Sequence, residues 1–324
     1  MKVIELFAGI GATRMALNEL KIEHEVIGIS EIDSNAINMY NAIHGETVNF
    51  GDIKKIEHLP QCNLLHASSP CTSFSNAGKK DGLKGASGLL LDVIRLLKDY
   101  KERAELPEYF SFENVIEMKT KFTDVFNDFI AVLNEMGYNV YENCLNASYF
   151  DIPQKRERLF IIGIRKDIDT NNFHMPENIN KTNLRLKDIL VSPEEIEEEY
   201  IHPIERFNNR HKRIRAIPKN TFQTIEDGYY FTETSTKRSQ SNRIYNREGL
   251  CPTITTVPFI NILEDSFVRK AMPIEYWRAM GFKDKDFFKI KDNFSKTALI
   301  KATGNSIALG PLKAIYNNLF KSQD

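Results

Sequence analysis

One cysteine and one glutamate in this sequence have neighbouring residues typical of reactive side chains. Cys71 follows Pro70 in a loop of small residues just past a predicted strand, and Glu113 ends the apolar stretch of residues 109–112. A thiolate can attack an electrophilic ring, and a carboxyl group can give a proton to that ring. The two side chains together suggest group transfer onto an electrophilic heterocycle.

Each of these residues also has an ordinary interpretation. A free cysteine is usually an inert buried thiol, and we keep that interpretation for Cys62, Cys144 and Cys251. For Cys71, the preceding proline, the strand-end loop and the polar neighbours favour a reactive thiolate. A strand-end glutamate is often simply solvated, and we expect the neighbouring Asn114 to tie an adjacent loop through its amide.

A glycine loop, Phe-Ala-Gly-Ile-Gly at residues 7–11, follows the first predicted strand and opens a helix. Its glycines permit a tight turn and a close approach of the backbone to a ligand. Arg14 replaces the third glycine of the dinucleotide fingerprint, which disfavours pyrophosphate binding. Glu31 and Asp33 end the second predicted strand, where an acid commonly accepts hydrogen bonds from ribose. A nucleoside without a pyrophosphate fits best.

Two further segments carry polar groups. In a Gly-Asp-Ile step, Asp52 could hydrogen-bond an adenine while Ile53 packs against it; the alternative is that Asp52 only caps a turn. The segment Gln-Lys-Arg-Glu-Arg at residues 154–158 precedes an apolar strand. Alternation points Arg156 and Arg158 to one side, where guanidinium groups could hold a phosphate or a ring carbonyl. A salt-bridged surface is the competing explanation.

The first half of the chain predicts the scaffold for these side chains. Short β-rich runs alternate with helical patterns, which implies an α/β fold with a doubly wound, mostly parallel sheet. Such folds place their sites in loops at the carboxyl ends of strands. From about residue 166 the chain becomes polar and irregular, which predicts a smaller lobe rich in loops and short strands.

Composition narrows the class of protein. The 324 residues contain no apolar run near the ~20 residues of a membrane span, so we expect a cytoplasmic protein. The 4 cysteines are widely scattered and form no Cys-x-x-Cys pair, which argues against a disulfide framework and against a structural zinc site. The formal net charge of −1 gives no overall nucleic-acid signature. An acidic run at 194–199 precedes a basic stretch at 206–215, which we interpret first as solvated surface.

Taken in order, these segments resemble the motifs of the DNA (cytosine-5) methyltransferase family over nearly the whole chain. The motifs are the glycine loop, Pro70-Cys71, Glu113-Asn114-Val115, the 154–158 segment and Gly304-Asn305-Ser306. The resemblance implies the fold of methyltransferases that use S-adenosylmethionine. A catalytic and cofactor-binding domain would span residues 1–165, a target-recognition lobe 166–268, and a return segment 269–324, whose last helix completes the catalytic domain.

The resemblance also implies a reaction, methyl transfer to carbon 5 of a cytosine flipped out of a specific double-stranded DNA sequence. Cys71 would add covalently to C6 while Glu113 engages N3. Arg158 would hold the ring carbonyl oxygen, and Arg156 would brace the Cys71 loop. Enzymes of this kind serve restriction-modification systems.

The cofactor implied is S-adenosyl-L-methionine, with Glu31 on the ribose, Ile32 against the adenine and Asp52 near its exocyclic amine. The implied cofactor residues are Phe7, Gly9, Ile10, Gly11, Glu31, Ile32, Asp52, Ile53, Pro70, Asn305 and Ser306. The implied DNA contacts are Thr72, Phe74, Ser75, Gln154, Arg243 and Tyr245. We expect a monomer whose partner is double-stranded DNA, with no membrane and no metal, associated with the nucleoid through DNA.

Two positions depart from the family pattern, and three other functions compete. Thr72 stands where glutamine or asparagine is usual, and Ile274 stands where arginine is common. The alternatives are an RNA cytosine-5 methyltransferase of the same fold, a catalytically silent DNA-binding relative, and a nicotinamide oxidoreductase. The last is disfavoured by the missing third glycine. Intact Cys71, Glu113 and Arg158 argue against a silent relative.

Overall fold

A computed structural model describes residues 1–70, 88–202, 229–231, 243–264 and 267–321. Contacts between Cα atoms divide the chain into two units: the first comprises residues 1–146, 157–179 and 309–324, and the second 147–156 and 180–308. These contacts do not test the functions assigned to the predicted domains, whose boundaries at 165 and 268 stay predictions. In the part of the chain described, no helix is long and apolar enough to cross a membrane.

The described strands and helices are named here in chain order. The strands are β1 (Lys2–Leu6), β2 (Glu25–Ser30), β3 (Leu64–Ala67), β4 (Tyr109–Val115), β5 (Tyr138–Asn146), β6 (Glu157–Arg165), β7 (Ile201–His202), β8 (Tyr229–Phe231), β9 (Arg243–Asn246), β10 (Asn261–Leu263) and β11 (Val268–Lys270). The helices are α1 (Ala12–Glu19), α2 (Ser34–His44), α3 (Gly88–Glu102), α4 (Glu117–Thr120), α5 (Thr123–Met136), α6 (Pro273–Ala279), α7 (Asp284–Phe287), α8 (Lys296–Gly304) and α9 (Leu309–Phe320).

The first unit is built on a six-stranded sheet with the order β2-β1-β3-β4-β6-β5. The pairs β2–β1, β1–β3 and β3–β4 are parallel, and β6 runs antiparallel to both β4 and β5. The predicted mostly parallel α/β sheet is therefore confirmed. The strand order reverses between β1 and β3, so the loops after these two strands diverge and leave room for a ligand.

One face of this sheet is apolar. Alternate residues of β1, β3, β4 and β6 join residues of α3 and α5 in one buried cluster, which includes Leu6, Ala67, Phe112, Ile161, Val93, Leu97, Phe129 and Leu133. The period of two in a strand and of about 3.6 in a helix places these residues on facing surfaces. Burial of this apolar area is the main force that holds the sheet against α3 and α5.

The opposite face carries buried polar side chains beneath α1 and α9. His66 Nδ1 lies 3.2 Å from the Ser111 hydroxyl, and the Tyr316 hydroxyl donates to the same oxygen at 3.2 Å. Burial lowers the pKa of His66 to about 3, so the imidazole is neutral. Helix α9 thus supplies a hydrogen-bonding partner to β3 and β4, just below the ends of both strands.

The second unit contains a five-stranded sheet with the order β7-β11-β10-β9-β8, made of shorter strands. Strands β9 and β10 pair in parallel, and the other neighbours pair antiparallel. Helices α6 and α8 pack against each other in the same unit. The role of target recognition that the sequence predicts for part of this unit stays a prediction.

A buried ion pair braces the second unit at the start of α6. Arg269, with 0% of its side chain exposed, donates to both carboxylate oxygens of Glu275 at 2.8 Å and to Glu264 at 2.8 Å. Glu275 also accepts the backbone N–H groups of Val191 and Met272. Because both charges have several hydrogen-bond partners, the pair is tolerated in the interior. Ile274, which stands where arginine is common, is buried. The guanidinium that contacts the start of α6 comes instead from Arg269, which lies outside the helix.

Glu5 on β1 is a buried carboxyl on the polar face of the sheet, and its ionisation makes the stability of the protein depend on pH. It is 1% exposed, and it accepts hydrogen bonds from the Tyr40 hydroxyl at 2.5 Å and from the Arg14 backbone N–H at 3.1 Å. Burial raises the pKa of this carboxyl from 4.5 to about 7. The folded protein therefore keeps a proton that the unfolded chain has released, and stability falls as pH rises through that window.

We predict that Glu5→Gln removes this pH dependence, because an amide does not titrate. The free energy of unfolding of the wild type relative to Glu5→Gln should fall by about 3 kcal/mol between pH 4.5 and pH 7. Urea unfolding of both proteins across this range measures the difference. A difference that stays constant with pH would show that Glu5 ionises alike in the folded and unfolded chains.

Candidate active site

Glu113 lies near the end of β4, beside the residues that follow β3. Strands β3 and β4 pair in parallel with Ala67 beside Phe112, so Ser68 falls beside Glu113. The Ser68 hydroxyl donates a hydrogen bond of 2.6 Å to Oε2 of Glu113, and Nε of Arg158 lies 3.3 Å from Oε1. Glu113 is 6% exposed. It is therefore a mostly buried acid whose two oxygens contact a hydroxyl and a cation.

The loop that leads to the predicted nucleophile is tied to the same strand end. The Nδ2 group of Asn114 donates to the carbonyl of Ser69 at 3.2 Å and to its hydroxyl at 3.1 Å. This confirms the expectation that Asn114 holds the neighbouring loop. Pro70 is exposed at the end of the described segment. The predicted site residues Cys71, Thr72, Phe74 and Ser75 lie outside the described residues.

Arg156 and Arg158 have different partners, although only one residue separates them. Arg158 belongs to β6 in the first unit, with 20% of its side chain exposed beside Glu113. Arg156 belongs to the second unit, is 4% exposed, and donates to three main-chain carbonyls. Those carbonyls are Ile254 at 3.0 Å, Gly304 at 3.2 Å and Ser306 at 2.9 Å. Its predicted contact with the Cys71 loop stays a prediction.

Gln154 is buried in the second unit with 0% of its surface exposed. Its amide nitrogen donates to the carbonyl of Ala279 at 2.6 Å, and its amide oxygen accepts the backbone N–H of Ile254 at 3.1 Å. Because main-chain groups bond both its amide nitrogen and its amide oxygen, Gln154 links the segment just before β6 to the end of α6. The DNA contact predicted for Gln154 would require this side chain to become exposed.

The glycine loop has the backbone form that a close ligand approach requires. Phe7, Gly9 and Gly11 all have positive φ, at 56°, 54° and 81°. A Cβ added to Gly9 would meet no atom within 4 Å, whereas one added to Gly11 would lie 2.6 Å from His44 Nε2. Gly9 therefore borders open space that a ligand can fill, and Gly11 is needed for packing against α2.

Glu31 is held at the edge of that open space by main-chain groups. Its Oε2 accepts the N–H of Gly9 at 2.9 Å, and its Oε1 accepts the N–H groups of Ile32 at 2.8 Å and Asp33 at 2.9 Å. A carboxylate has about four acceptor sites, so one remains for a ribose hydroxyl. Beside it, the Ile32 side chain is 74% exposed and offers an apolar surface for a base.

Asn49 is a residue of this site that sequence reasoning missed. Its Oδ1 accepts the N–H of Glu31 at 3.2 Å and of Gly51 at 3.0 Å, and its Nδ2 donates to the carbonyl of Glu31 at 3.0 Å. One side chain thus joins the Glu31 turn to the loop that carries Asp52. The available signal was an asparagine two residues before a glycine, a pattern typical of a side-chain turn.

The remaining predicted cofactor residues in the first unit are placed as follows. Asp52 accepts the N–H of Lys54 at 3.1 Å and caps a short 3-10 helix, as the turn interpretation expects. Ile53 is 3% exposed and belongs to the apolar core, and Ile10 is 0% exposed. Of the three isoleucines predicted to contact the cofactor, Ile32 is the exposed one.

Several predicted residues lie in the second unit. Asn305 follows α8 and is exposed, and Ser306 is 7% exposed with its carbonyl engaged by Arg156. Tyr245 on β9 is 1% exposed, and Arg243 begins the same strand. The predicted cofactor and DNA contacts of these four residues stay predictions. Among the described residues, no group of three His, Cys, Asp or Glu side chains has a metal-binding arrangement.

Comparison with known proteins gives consistent matches. The model of the family described as C-5 cytosine-specific DNA methylase matches residues 1–321. The orphan methyltransferase M.SPRI of Bacillus phage SPR is 32% identical over 288 residues, covering 79% of this chain but only 64% of that protein. The type II methyltransferase M.HhaI of Haemophilus parahaemolyticus is 29% identical over 334 residues, covering 99% of this chain and 95% of its own.

A solved structure shows the same fold. The Dnmt2 methyltransferase of S. pombe matches with a TM-score of 0.74 at 21% identity, and the match covers 100% of this chain and 99% of that chain. Like the sequence matches, it extends over both units. The likeness in fold therefore covers the whole of this chain, whereas the chain spans only 64% of the length of the phage relative M.SPRI.

We predict that Asn49→Ala weakens binding of S-adenosylmethionine about tenfold, the equivalent of one to two hydrogen bonds. The substitution releases the turn that holds the Glu31 carboxylate. Isothermal titration calorimetry on the purified chain measures this loss. Asn134→Ala is the matched control, because the Asn134 side chain lies on an exposed part of α5 and donates to the Ile130 carbonyl at 2.9 Å, within its own helix. Equal affinities for the two variants would contradict the role of Asn49.

Proposed function

The chain belongs to the C-5 cytosine-specific DNA methylase family, and we propose that it methylates carbon 5 of a cytosine in a specific double-stranded DNA sequence. The enzyme class is DNA (cytosine-5-)-methyltransferase. The structural observation that supports this most is a mostly buried Glu113 with Arg158 and Ser68 on its oxygens, at the strand end where the loop to Cys71 begins. A family of DNA methylases and relatives named as type II methyltransferases favour DNA over RNA as the substrate.

The proposed chemistry starts with the ring, because cytosine C5 is a poor nucleophile. The Cys71 thiolate forms a bond to C6 while Glu113 delivers a proton to N3, which converts the ring to an enamine. S-adenosylmethionine supplies the electrophilic methyl group that C5 takes up. The methyl donor is left as a neutral thioether. Loss of the C5 proton then expels the Cys71 thiolate, and N3 returns its proton to Glu113, which restores the neutral aromatic ring. Two moderate barriers replace one high barrier.

The two arginines serve different parts of this proposal. Arg158 lies 3.3 Å from Glu113 and is partly exposed, so its guanidinium can hold the ring carbonyl oxygen where negative charge develops. Arg156 holds main-chain carbonyls of the second unit at Ile254, Gly304 and Ser306. We assign it the positioning of those segments, including the predicted cofactor residue Ser306.

The described residues fit S-adenosylmethionine. Gly9 borders open space, Glu31 keeps one acceptor site for the ribose, and the exposed Ile32 presents an apolar surface to an adenine. Asp52 retains a second carboxylate oxygen for the exocyclic amine, since the helix cap engages Oδ1. The absence of a third glycine suits a cofactor without a pyrophosphate.

The target cytosine must leave the DNA duplex before it can react. A base inside a duplex is out of reach of a sulfur atom, so the cytosine is flipped into the site at a cost of a few kcal/mol. We propose that residues 166–268 read the target sequence, since they include four of the five short strands of the second sheet and the basic stretch at 206–215. Type II relatives suggest a role in a restriction-modification system.

We predict that Cys71→Ser abolishes methyl transfer, because a serine hydroxyl is almost fully protonated at neutral pH. Tritium transfer from labelled S-adenosylmethionine to plasmid DNA free of cytosine methylation measures activity, and bisulfite sequencing maps the target. Cys144→Ser is the control, since Cys144 lies on β5 and has no part in the site. Full activity of Cys71→Ser would exclude the proposed nucleophile.

We predict that Glu113→Gln lowers kcat by roughly 10²- to 10⁴-fold, the usual contribution of a general acid. Affinity for DNA should change little, because the amide has the same size. The control is Glu142→Gln, which removes a carboxylate of the same sheet that pairs with Lys119 at 2.8 Å. A parallel loss of DNA affinity and turnover in Glu113→Gln would indicate a structural carboxylate.

A further inference from the structure

The strongest contact of the Glu113 carboxylate is with a side chain that the reaction scheme leaves out. The Ser68 hydroxyl donates to Oε2 at 2.6 Å, which is at the short end of the range for a hydroxyl donor. Arg158 Nε lies farther from the other oxygen, at 3.3 Å. The two oxygens of Glu113 are therefore not equivalent.

We infer that Ser68 is a positioning residue, which fixes Oε2 of Glu113 so that Oε1 is the oxygen that meets the substrate ring. This inference rests on the proposed function. While Oε2 accepts the Ser68 hydroxyl, the proton that Glu113 carries resides on Oε1. That proton passes from Oε1 to N3 as the sulfur of Cys71 bonds to C6, and Oε2 keeps its hydrogen bond throughout.

Ser68 is well placed for this task because its own main chain is held. Its N–H donates to the carbonyl of Leu6 on β1 at 3.4 Å, and Asn114 holds the next residue, Ser69, through two hydrogen bonds. The parallel pairing of β3 and β4 sets the spacing between Ser68 and Glu113. The hydroxyl is thus a fixed point rather than a mobile surface group.

A fixed hydroxyl matters at this site because it limits rotation of the Glu113 carboxyl group. Rotation of the carboxyl about its last bond would exchange the two oxygens and move the proton away from the ring. A glutamate has three side-chain torsions, and a proton donor must lie within hydrogen-bond distance of its acceptor. Ser68 restricts this rotation from one side, and the longer contact with Arg158 leaves Oε1 free to change partner when the base arrives.

The competing explanation is that Ser68 only satisfies a buried carboxylate. A buried acceptor without a partner destabilises a protein, so both explanations predict a loss of stability in Ser68→Ala. They differ in the kinetics. A positioning residue affects kcat through Glu113, whereas a purely structural residue lowers the melting temperature and the fraction of active enzyme without changing turnover per active molecule.

The test measures methyl transfer to unmethylated plasmid DNA by the full chain, with active enzyme counted by a single-turnover burst. Ser68→Ala should lower kcat roughly 10- to 100-fold with little change in KM for DNA or S-adenosylmethionine. Ser68→Thr, which restores a hydroxyl, should recover most of the rate. Ser111→Ala is the matched control, because it removes a buried hydroxyl of β4 that bonds His66 and Tyr316 rather than Glu113.

A double-mutant cycle shows whether Ser68 acts through Glu113. In the Glu113→Gln background, Ser68→Ala should cause almost no further loss of kcat, because no proton remains to be directed. Ser68→Cys, which keeps the size but donates weakly, provides a second variant should the alanine variant fold poorly, and it should also lose turnover.

Three outcomes would overturn the inference. Wild-type kcat in both Ser68→Ala and Ser68→Cys would show that the hydroxyl does not position the acid. Fully additive losses in the cycle would show that Ser68 acts independently of Glu113. A wild-type chain that binds DNA and cofactor yet transfers no methyl group would overturn the proposed function, and the inference with it.

Discussion

The parallel pairing of β3 with β4 is the constraint on which the candidate site depends. Ala67 and Phe112 lie side by side at the end of the ladder, so the residues that follow them emerge together at one edge of the sheet. Glu113 and Ser68 meet there, although 45 residues separate them in sequence. Any slip of register by one residue would point Glu113 to the apolar face. The apolar cluster under α3 and α5 prevents such a slip, because it would have to expose Phe112.

The same physical rule governs three carboxylates of the first unit that are buried or partly buried. A charged group removed from water needs hydrogen-bond donors. Glu5 has a tyrosine hydroxyl and a backbone N–H, and Glu31 has three backbone N–H groups. Glu113 differs, because its carboxylate oxygens contact the side chains of Ser68 and Arg158. The longer contact with Arg158 can rearrange when a substrate arrives, whereas the main-chain partners of Glu31 hold that binding residue still.

The second unit also buries charged side chains, and ionic and main-chain contacts supply their partners. Arg269 and Glu275 form a buried pair at the start of α6, and Arg156 gathers three carbonyls from Ile254 to Ser306. Gly304 packs with its Cα against the main chain of Thr255, where a side chain would not fit. The Gly304-Asn305-Ser306 segment lies so close to the main chain of Thr255 that only a glycine fits at position 304.

The sequence by itself determined the elements and the kinds of chemistry. Alternation of strands and helices predicted the mostly parallel sheet, and the glycine loop followed by Glu31 predicted a nucleoside edge, because these patterns are local and their periods are short. Only the tertiary structure decided the partners. Spacing placed Arg156 with Arg158, yet the first bonds carbonyls up to 150 residues away and the second lies beside Glu113. Ser68 carries no distinctive motif, and the asparagine two residues before Gly51 indicates only a turn. Their roles became visible only when folding brought the Glu113 carboxylate beside the Ser68 hydroxyl and the main chain of Glu31 beside the Asn49 amide.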